Sequence, residues 1–519
     1  MAGAEPIGGF MDSLLPWLAA LGPALLLIPG LVPEATADRA AGSMRRLSLA
    51  AALGALGLAA LTGSVLILSG RALPGAVVQL DAVSGVMFAL VAAIGAVVIA
   101  YSHRYLDGDP GQGRFFKWLS LTLAAVLSLV LAGNLILLAL AWIGAGFGLH
   151  RLLLFYGDRK PAQLAARKMR LTSRLADACL LAALLVASLT FGSVEIAAIQ
   201  EAARAMQGQA SLGVHVAALL LAQAALLKSA QFPAHGWLAE VMETPTPVSA
   251  LLHAGIINAG GFLLVRLADV VALSAGALDL LLLVGAMTAV FGAAAMLTQT
   301  SVKVNLAWST VAQMGFMVMQ CGLGAFAAAL LHIVAHALYK AHAFLSAGGV
   351  ASVRRPEKLS PLPLRVLLPG LAGAVLLTLF VGAALGMPAT TDPGPAVLAA
   401  VLVMALVPTL ATGTAGRASD AFALRAFGMA GLVALLYFGL QAGAAALLAP
   451  ALPATIAERS IFAPMLSVLT VLAFAALLVL NVARRAPVPG RMVEALYVHL
   501  VNGFYVNAAF NRLINKGVR

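Results

Sequence analysis

Apolar runs of about twenty residues follow one another along nearly the whole chain, and most charged residues fall in the gaps between them. A bilayer core takes about 20 apolar residues per helix. In lipid only helices and closed barrels can satisfy their own backbone. By that measure the chain divides into fifteen spans, at 13–33, 46–69, 82–101, 115–131, 133–156, 172–193, 210–240, 246–268, 277–298, 303–322, 325–350, 364–386, 395–414, 421–449 and 460–482. Of 519 residues, 62% are hydrophobic and 10% charged, where soluble domains carry roughly 25% charge. The fold class expected is an all-α polytopic membrane protein with about fifteen transmembrane helices. The first apolar run lacks a basic segment before it and reads as an ordinary span, not a cleaved signal.

The net charge of +12 is a matter of topology rather than nucleic-acid binding. Arg39, Arg45 and Arg46 follow the first span, and Arg104, Arg114 and Lys117 the third. Seven basic residues between Arg151 and Arg174 surround the loop after the fifth. Lys303 follows the ninth span, and Arg354, Arg355, Lys358 and Arg365 the eleventh. Arg417 and Arg425 follow the thirteenth, and Arg484, Arg485 and Arg491 the fifteenth. Loops after even-numbered spans are poor in Lys and Arg, so the positive-inside rule puts the N-terminus in the periplasm and the C-terminus in the cytoplasm. The loop after span seven is the exception, with Glu240 and Glu243 and no basic residue. Cys179 and Cys321 lie in apolar segments and form no CxxC or iron–sulfur pattern. No Gly-rich nucleotide loop is present, and no cofactor is expected on this chain. The tail after Pro489, rich in aromatics, Asn and basic residues, reads either as an interfacial amphipathic helix or as a terminal helix packed on the bundle.

Titratable groups inside a membrane are costly and mark function by default. Lys228 lies sixteen residues after Leu212, about 24 Å along a helix, in a segment expected to break by Pro233. Burial disfavours its charged form, while the carbonyl end of a half-helix favours the cation. A broken helix beside such a group is a recurring way to build an ion site at membrane depth. The next span is expected to start with Thr246 as cap and Pro247 in the first turn, which puts His253 about 9 Å along it. His332, His336 and Lys340 are spaced i, i+4, i+8, so they share one helix face. Histidines in such a row can relay protons, make structural hydrogen bonds or, less naturally, hold a metal. His342 points nearly opposite to Lys340. Asp177, three residues after Arg174, reads equally as half of an i, i+3 ion pair or as the carboxylate that modulates Lys228.

The stretch KSAQFPAHGWLAEVMETPTPVSALLHAGIINAGGFLLVR and the segment LHIVAHALYKAHAFLSAG resemble the central motifs of the antiporter-like subunits of respiratory complex I, the NuoL, NuoM and NuoN class, and of Mrp antiporters. The likeness is strongest over residues 80–350. It implies inverted repeats, each with a broken helix, and movement of protons or sodium. It carries Lys228 over as the channel lysine, His253 as the histidine of the next helix, and Asp177 and Arg174 as the acid and base of span six. His332, His336 and Lys340 carry over as a second relay. The repeats would divide the chain into N-terminal helices (1–110), a first repeat (111–270), a second repeat (271–415), C-terminal helices (416–485) and a cytoplasmic or interfacial tail (486–519).

Three departures stand out. The family pairs its channel lysine with a Trp-Glu glutamate in span five, but here the sequence is Ala141-Trp142-Ile143-Gly144. The titratable residue of the second broken helix, around span twelve, is also missing, as is the long C-terminal lateral helix of NuoL. The segment from Gly148 to Leu181 and the tail ALYVHLVNGFYVNAAFNRLI are similar to a narrower group, the DabB-like membrane subunits of two-component inorganic carbon accumulation systems. That resemblance implies a non-enzymatic, ion-translocating subunit in a bacterial inner membrane. Its partner would be a large DabA-like zinc protein that converts CO2 to bicarbonate, with the zinc on the partner. The alternative implied is a proton-pumping subunit of complex I or an Mrp-type Na+/H+ antiporter.

Overall fold

The computed structural model describes residues 5–70, 72–206, 209–352, 364–387, 392–413, 420–453, 456, 459–483 and 491–516. Each of the fifteen apolar runs is helical. They form α1 (Glu5–Gly30), α2 (Ala41–Ser69), α3 (Ala82–Tyr105), α4 (Gln112–Leu131), α5 (Leu135–Leu153), α6 (Lys160–Phe191) and α7 (Leu212–Lys228). The next is α8, which spans Thr246–Arg266. The remainder are α9 (Ala275–Met296), α10 (Val302–Gly322), α11 (Phe326–Leu345), α12 (Leu364–Ala384), α13 (Pro393–Gly413), α14 (Asp420–Leu448) and α15 (Ala463–Ala483). The chain is a multi-pass α-helical membrane protein. Of the basic residues used for topology, Arg354, Arg355, Lys358, Arg417, Arg484 and Arg485 lie outside the described residues.

Several boundaries differ from the sequence expectation. Helix α6 starts at Lys160, a dozen residues before the expected apolar limit. Its first three turns are amphipathic, burying Ala162, Ala165, Ala166, Lys168 and Met169. Helix α8 is interrupted: Thr246–Ala254 ends at Gly255, a 3-10 turn covers Ile256–Asn258, and Ala259–Arg266 resumes. Thr246 does not cap it, since the cap position is Pro245; the Thr246 hydroxyl instead donates to Tyr105 Oη at 3.3 Å. The break implied near span twelve is absent, as α12 is one continuous helix with Pro369 inside it. Pro369, in the second turn, removes the N–H that would bond the Arg365 carbonyl without dividing the helix.

The chain divides into two compact units: Met1–Ala277 with His332–Gly348 and Leu448–Glu458, and Leu278–Leu331 with Gly349–Leu447 and Arg459–Arg519. In the first unit α6 packs along α7, α4 along α5, and α1 against both α2 and α4. One end is closed by its loops. Gly133 N–H donates to Val77 O, Ile196 N–H to Gly133 O and Leu135 N–H to Val194 O, each at 2.9 Å. Gly133 has no room for a side chain, because a Cβ there would stand 2.2 Å from Gly75 O. Beneath this layer Arg266, 2% exposed, meets Asp81 Oδ2 at 2.5 Å. Asp81 also accepts from Ser84 N–H at 2.8 Å, forming a capping box at the start of α3.

In the second unit α9 and α10 touch backbone to backbone, since a Cβ on Gly315 would lie 2.4 Å from Ala289 N. Helices α12, α13 and α14 share a core of Ala374, Leu402, Leu406, Leu410, Ala430 and Ala434. The tail forms two helices, Arg491–Val501 and Val506–Lys516. Gly503 sits against Trp308, and Phe504 lies 6.0 Å from Phe291 between ring centroids. The turn is packed on the bundle, while Tyr497, Val498 and Tyr505 stay exposed.

Burial alone would raise the Asp81 carboxyl, but the Arg266 charge and hydrogen bond, with Ser84, outweigh it and hold it below its ordinary 3.8. A depressed folded value means the pair stabilises the fold above pH 3.8 and loses that contribution as pH falls through the lower folded value. Arg266→Leu leaves a buried carboxylate unpaired and should cost about 3–5 kcal/mol. The measurement is the thermal midpoint in detergent by circular dichroism. Adding Asp81→Asn should recover part of the loss.

Candidate functional site

Helix α7 ends at Lys228. Ser229 N–H closes the last turn on Ala225 O at 2.9 Å, and Ala230 then turns into the left-handed region at φ 50°. The helix therefore unwinds four residues before Pro233. A non-glycine residue in that region is strained and persists only where the surroundings fix it. Lys228 is 5% exposed at the carbonyl end of the half-helix, where the helix dipole favours a cation.

Two neighbouring helices face its ammonium group. From α6, Asp177 Oδ1 lies 4.0 Å from Lys228 Nζ. From α5, the Trp142 ring centroid lies 4.6 Å from Nζ, and Trp142 Nε1 donates to Asp177 Oδ1 at 2.9 Å. Opposite charges 4 Å apart attract by about 4 kcal/mol at an effective dielectric of 20, comparable to the several kcal/mol each ion loses on desolvation. Gly146, one turn after Trp142, provides space: a Cβ there would stand 3.1 Å from Nζ. Of the two readings of Asp177, the geometry is that of a carboxylate facing Lys228. Arg174 is exposed and has no ion-pair partner among the described residues. Ile143, where the family carries glutamate, is 37% exposed.

His253 belongs to a second cluster. It is fully buried, stacks on Phe344 with centroids 4.4 Å apart, and its backbone is hydrogen-bonded by His336. His332 and His336 stack at 6.1 Å, and Lys340 is completely buried within electrostatic reach of His253 and His336. The i, i+4, i+8 face of α11 therefore meets the first half of α8. His342 is exposed, in an apolar cleft lined by Ala93, Ile94 and Val97. Among the described residues no three His, Cys, Asp or Glu converge as a metal site.

The breaks of α7 and α8 lie side by side between the clusters. Ser229 Oγ donates to Ile257 O at 3.1 Å, and Gly260 admits it, since a Cβ there would stand 2.3 Å from Ser229 Oγ. Gln231 Nε2 bonds Ser229 O and Asn258 Nδ2 bonds Ala254 O, both at 2.9 Å. Gln231 Oε1 and Asn258 Oδ1 are buried without a hydrogen-bond partner among the described residues, and such groups ordinarily hold ordered water.

The exceptional loop after span seven is also explained. Glu240 Oε2 meets Lys168 Nζ at 2.5 Å, and Glu243 Oε2 meets Arg159 at 3.1 Å. Both basic partners come from the basic cluster around the loop after span five, which thus pairs carboxylates as well as marking topology. Lys168 is fully buried and acts electrostatically on the buried His235. The signal available in the sequence was a pair of glutamates with no local cation to balance them.

Buried ionisable side chains beside helix breaks in a multi-pass bundle are the pattern of ion sites at membrane depth. Residues 132–411 match the family described as NADH:quinone oxidoreductase/Mrp antiporter, TM, and residues 75–116 match the complex I chain 5 N-terminus. The chain belongs to this antiporter-like family. It is 41% identical over 443 residues to the "Probable inorganic carbon transporter subunit DabB2" of Halothiobacillus neapolitanus, a match covering 84% of this chain and 79% of that one. A DabB subunit from Hydrogenovibrio crunogenus is 46% identical over 284 residues, 54% of this chain and 55% of that relative. A chain in the Mrp complex of Dietzia sp. DQ12-45-1b superposes with a TM-score of 0.63 at 25% identity, covering 97% of this chain and 59% of that one.

Glu240→Gln would strip Lys168 of its carboxylate. We expect a loss of about 1–3 kcal/mol, read as a lower melting midpoint in detergent. The double variant Lys168→Met with Glu240→Gln should recover much of it, because the two sites couple.

Proposed function

We propose that the chain is the ion-translocating membrane subunit of an inorganic carbon uptake complex. Lys228 is its central exchange site, and His253, His332, His336 and Lys340 form the relay beyond it. The observation that carries this reading is a buried lysine at a helix break, facing a carboxylate across 4.0 Å. A contact ion pair would hold the proton fast, whereas a looser pair supports the cation and still lets it discharge. The polar groups of Gln231 and Asn258 at the joined breaks supply hydrogen-bonding positions for proton passage from Lys228 toward the His253 cluster. Arg174, exposed one turn from Asp177, tunes that carboxylate from a distance. The coupling ion is a proton, the species that lysine and histidine exchange.

The likeness to DabB relatives supports coupling to a DabA-like zinc protein that hydrates CO2. In that arrangement ions run down their gradient and the released free energy drives one-way formation of bicarbonate. The chain itself is non-enzymatic and carries no cofactor. It lies in a bacterial inner membrane with the Asp81–Arg266 layer at the periplasmic side and Glu240–Lys168 at the cytoplasmic side. The Mrp-like fold supports a second reading, a cation/proton antiporter subunit.

Lys228→Ala should abolish air growth of a carbonic-anhydrase-deficient host rescued by this chain and its partner, while growth in high CO2 is unchanged. Undiminished rescue would remove Lys228 from the mechanism. Affinity purification from the native membrane should bring down one large zinc-containing protein. A set of iron–sulfur subunits instead would favour a redox complex, and further antiporter subunits the Mrp reading.

A further inference from the structure

The channel lysine lacks the carboxylate that its family supplies from span five, and the structure contains a different arrangement at that point. Trp142 is completely buried in α5 and makes two contacts at once. Its Nε1 donates to Asp177 Oδ1 at 2.9 Å, and its ring centroid lies 4.6 Å from Lys228 Nζ. The same oxygen, Asp177 Oδ1, is the one 4.0 Å from the ammonium group. An ammonium–carboxylate contact normally closes to about 2.7–2.9 Å. The indole N–H thus competes with Lys228 for one oxygen, while the ring face offsets what the cation loses by standing off. Gly146 completes the arrangement, because a side chain there would crowd Nζ at 3.1 Å.

The geometry points to Trp142 as a positioning residue for ion transfer at Lys228: it holds Asp177 out of contact with the ammonium group that its own π face supports. This rests on the proposed role of Lys228. Asp177 is the charged group that acts on Lys228, and Arg174 acts on Asp177 from its own helix. The second half of α8 packs against α7 with Gly260 and apolar residues, and its Arg266 is engaged by Asp81. Asp269, in the short helix that follows, is bound by Arg204 at 2.8 Å. His253, on the first half of α8, faces Phe344 and Lys340. No other charge among the described residues offers an alternative anchor for the ammonium group.

The test is proton flux in vesicles carrying the chain with its native partner, followed against pH and normalised to inserted protein. Trp142→Phe keeps an aromatic face and removes the N–H. Asp177 should then close on Lys228 and hold its proton more tightly, moving the rising limb of flux upward by about one pH unit or more. Asp177→Glu lengthens the carboxylate arm and should move the limb in the same direction with Trp142 intact, which keeps the inference testable if Trp142→Phe does not insert. In an Asp177→Asn background, Trp142→Phe should produce no further shift. A loss of flux that is equal at every pH, or unchanged by Asp177→Asn, makes Trp142 a packing residue and overturns the inference. Lys228→Ala in the same vesicles separates the two readings. If it conducts normally, the role of Lys228 falls; if it is inactive while Trp142→Phe leaves the pH profile in place, only the role of Trp142 falls.

Discussion

The structure depends on the cost of placing a charge where water is absent. Lys228, Lys168 and Arg266 are buried cations in an apolar bundle, and each is answered by a carboxylate from a distant part of the chain. The closeness of each answer differs. Arg266 and Lys168 meet Asp81 and Glu240 at 2.5 Å, as pairs that fix structure. Lys228 and Asp177 stand 4.0 Å apart, with a tryptophan between their demands. A close pair locks a proton in place, and a loose pair leaves it exchangeable. The same chemistry therefore gives two close pairs toward the ends of the first unit and one open pair at the α7 break.

The seven residues singled out as ion-handling candidates all lie in the first unit. They form two groups, Asp177 with Lys228 and His253 with the α11 row, while Arg174 stands apart. What joins the groups is backbone. The breaks in α7 and α8 are pinned together by the Ser229 bond to Ile257 O. In lipid a broken helix is tolerated only where its freed groups are satisfied, and here Ser229 of the α7 break satisfies the Ile257 carbonyl of the α8 break, while Gln231 and Asn258 bond carbonyls of their own segments. The polar side chains gathered around this joint lie between the lysine and the histidine cluster.

The spans were legible because apolar length is a strong, local signal. Helix α6 began early because its first turns are amphipathic, burying Lys168 while showing basic residues outward; composition alone reads such a stretch as a loop. The break in α8 was not legible, because His253 and Asn258 are polar residues that an intact helix also accommodates, and a single glycine such as Gly255 does not by itself end a helix. The site was legible as residue types but not as partners. Spacing fixes which residues share a helix face, so the His332, His336 and Lys340 row could be read directly. Spacing does not fix which helices become neighbours. Asp177 thus remained divided between Arg174 and Lys228, and Lys168 and Glu240 were read as separate features of two loops.

The replacement at position 143 is the step that ties these points together. Ile143 is partly exposed on α5, so a carboxylate there would have to reach round the helix to serve Lys228. Trp142 is the α5 residue that faces the site, and it brings in a carboxylate from α6 by hydrogen bond. With isoleucine at position 143, the carboxylate that faces Lys228 is the one on α6, Asp177, while the lysine sits where the break in α7 puts it. A partner on α6 shares its helix with Lys168 two and a half turns earlier, and Lys168 is bound to Glu240 just after the α7 break. Helix α6 is therefore tied at both levels to the segment that unwinds around Lys228. The Lys168–Glu240 and Asp177–Lys228 contacts therefore share one helix, nine residues apart, so that α6 links the segment after the α7 break to the lysine at which that break begins.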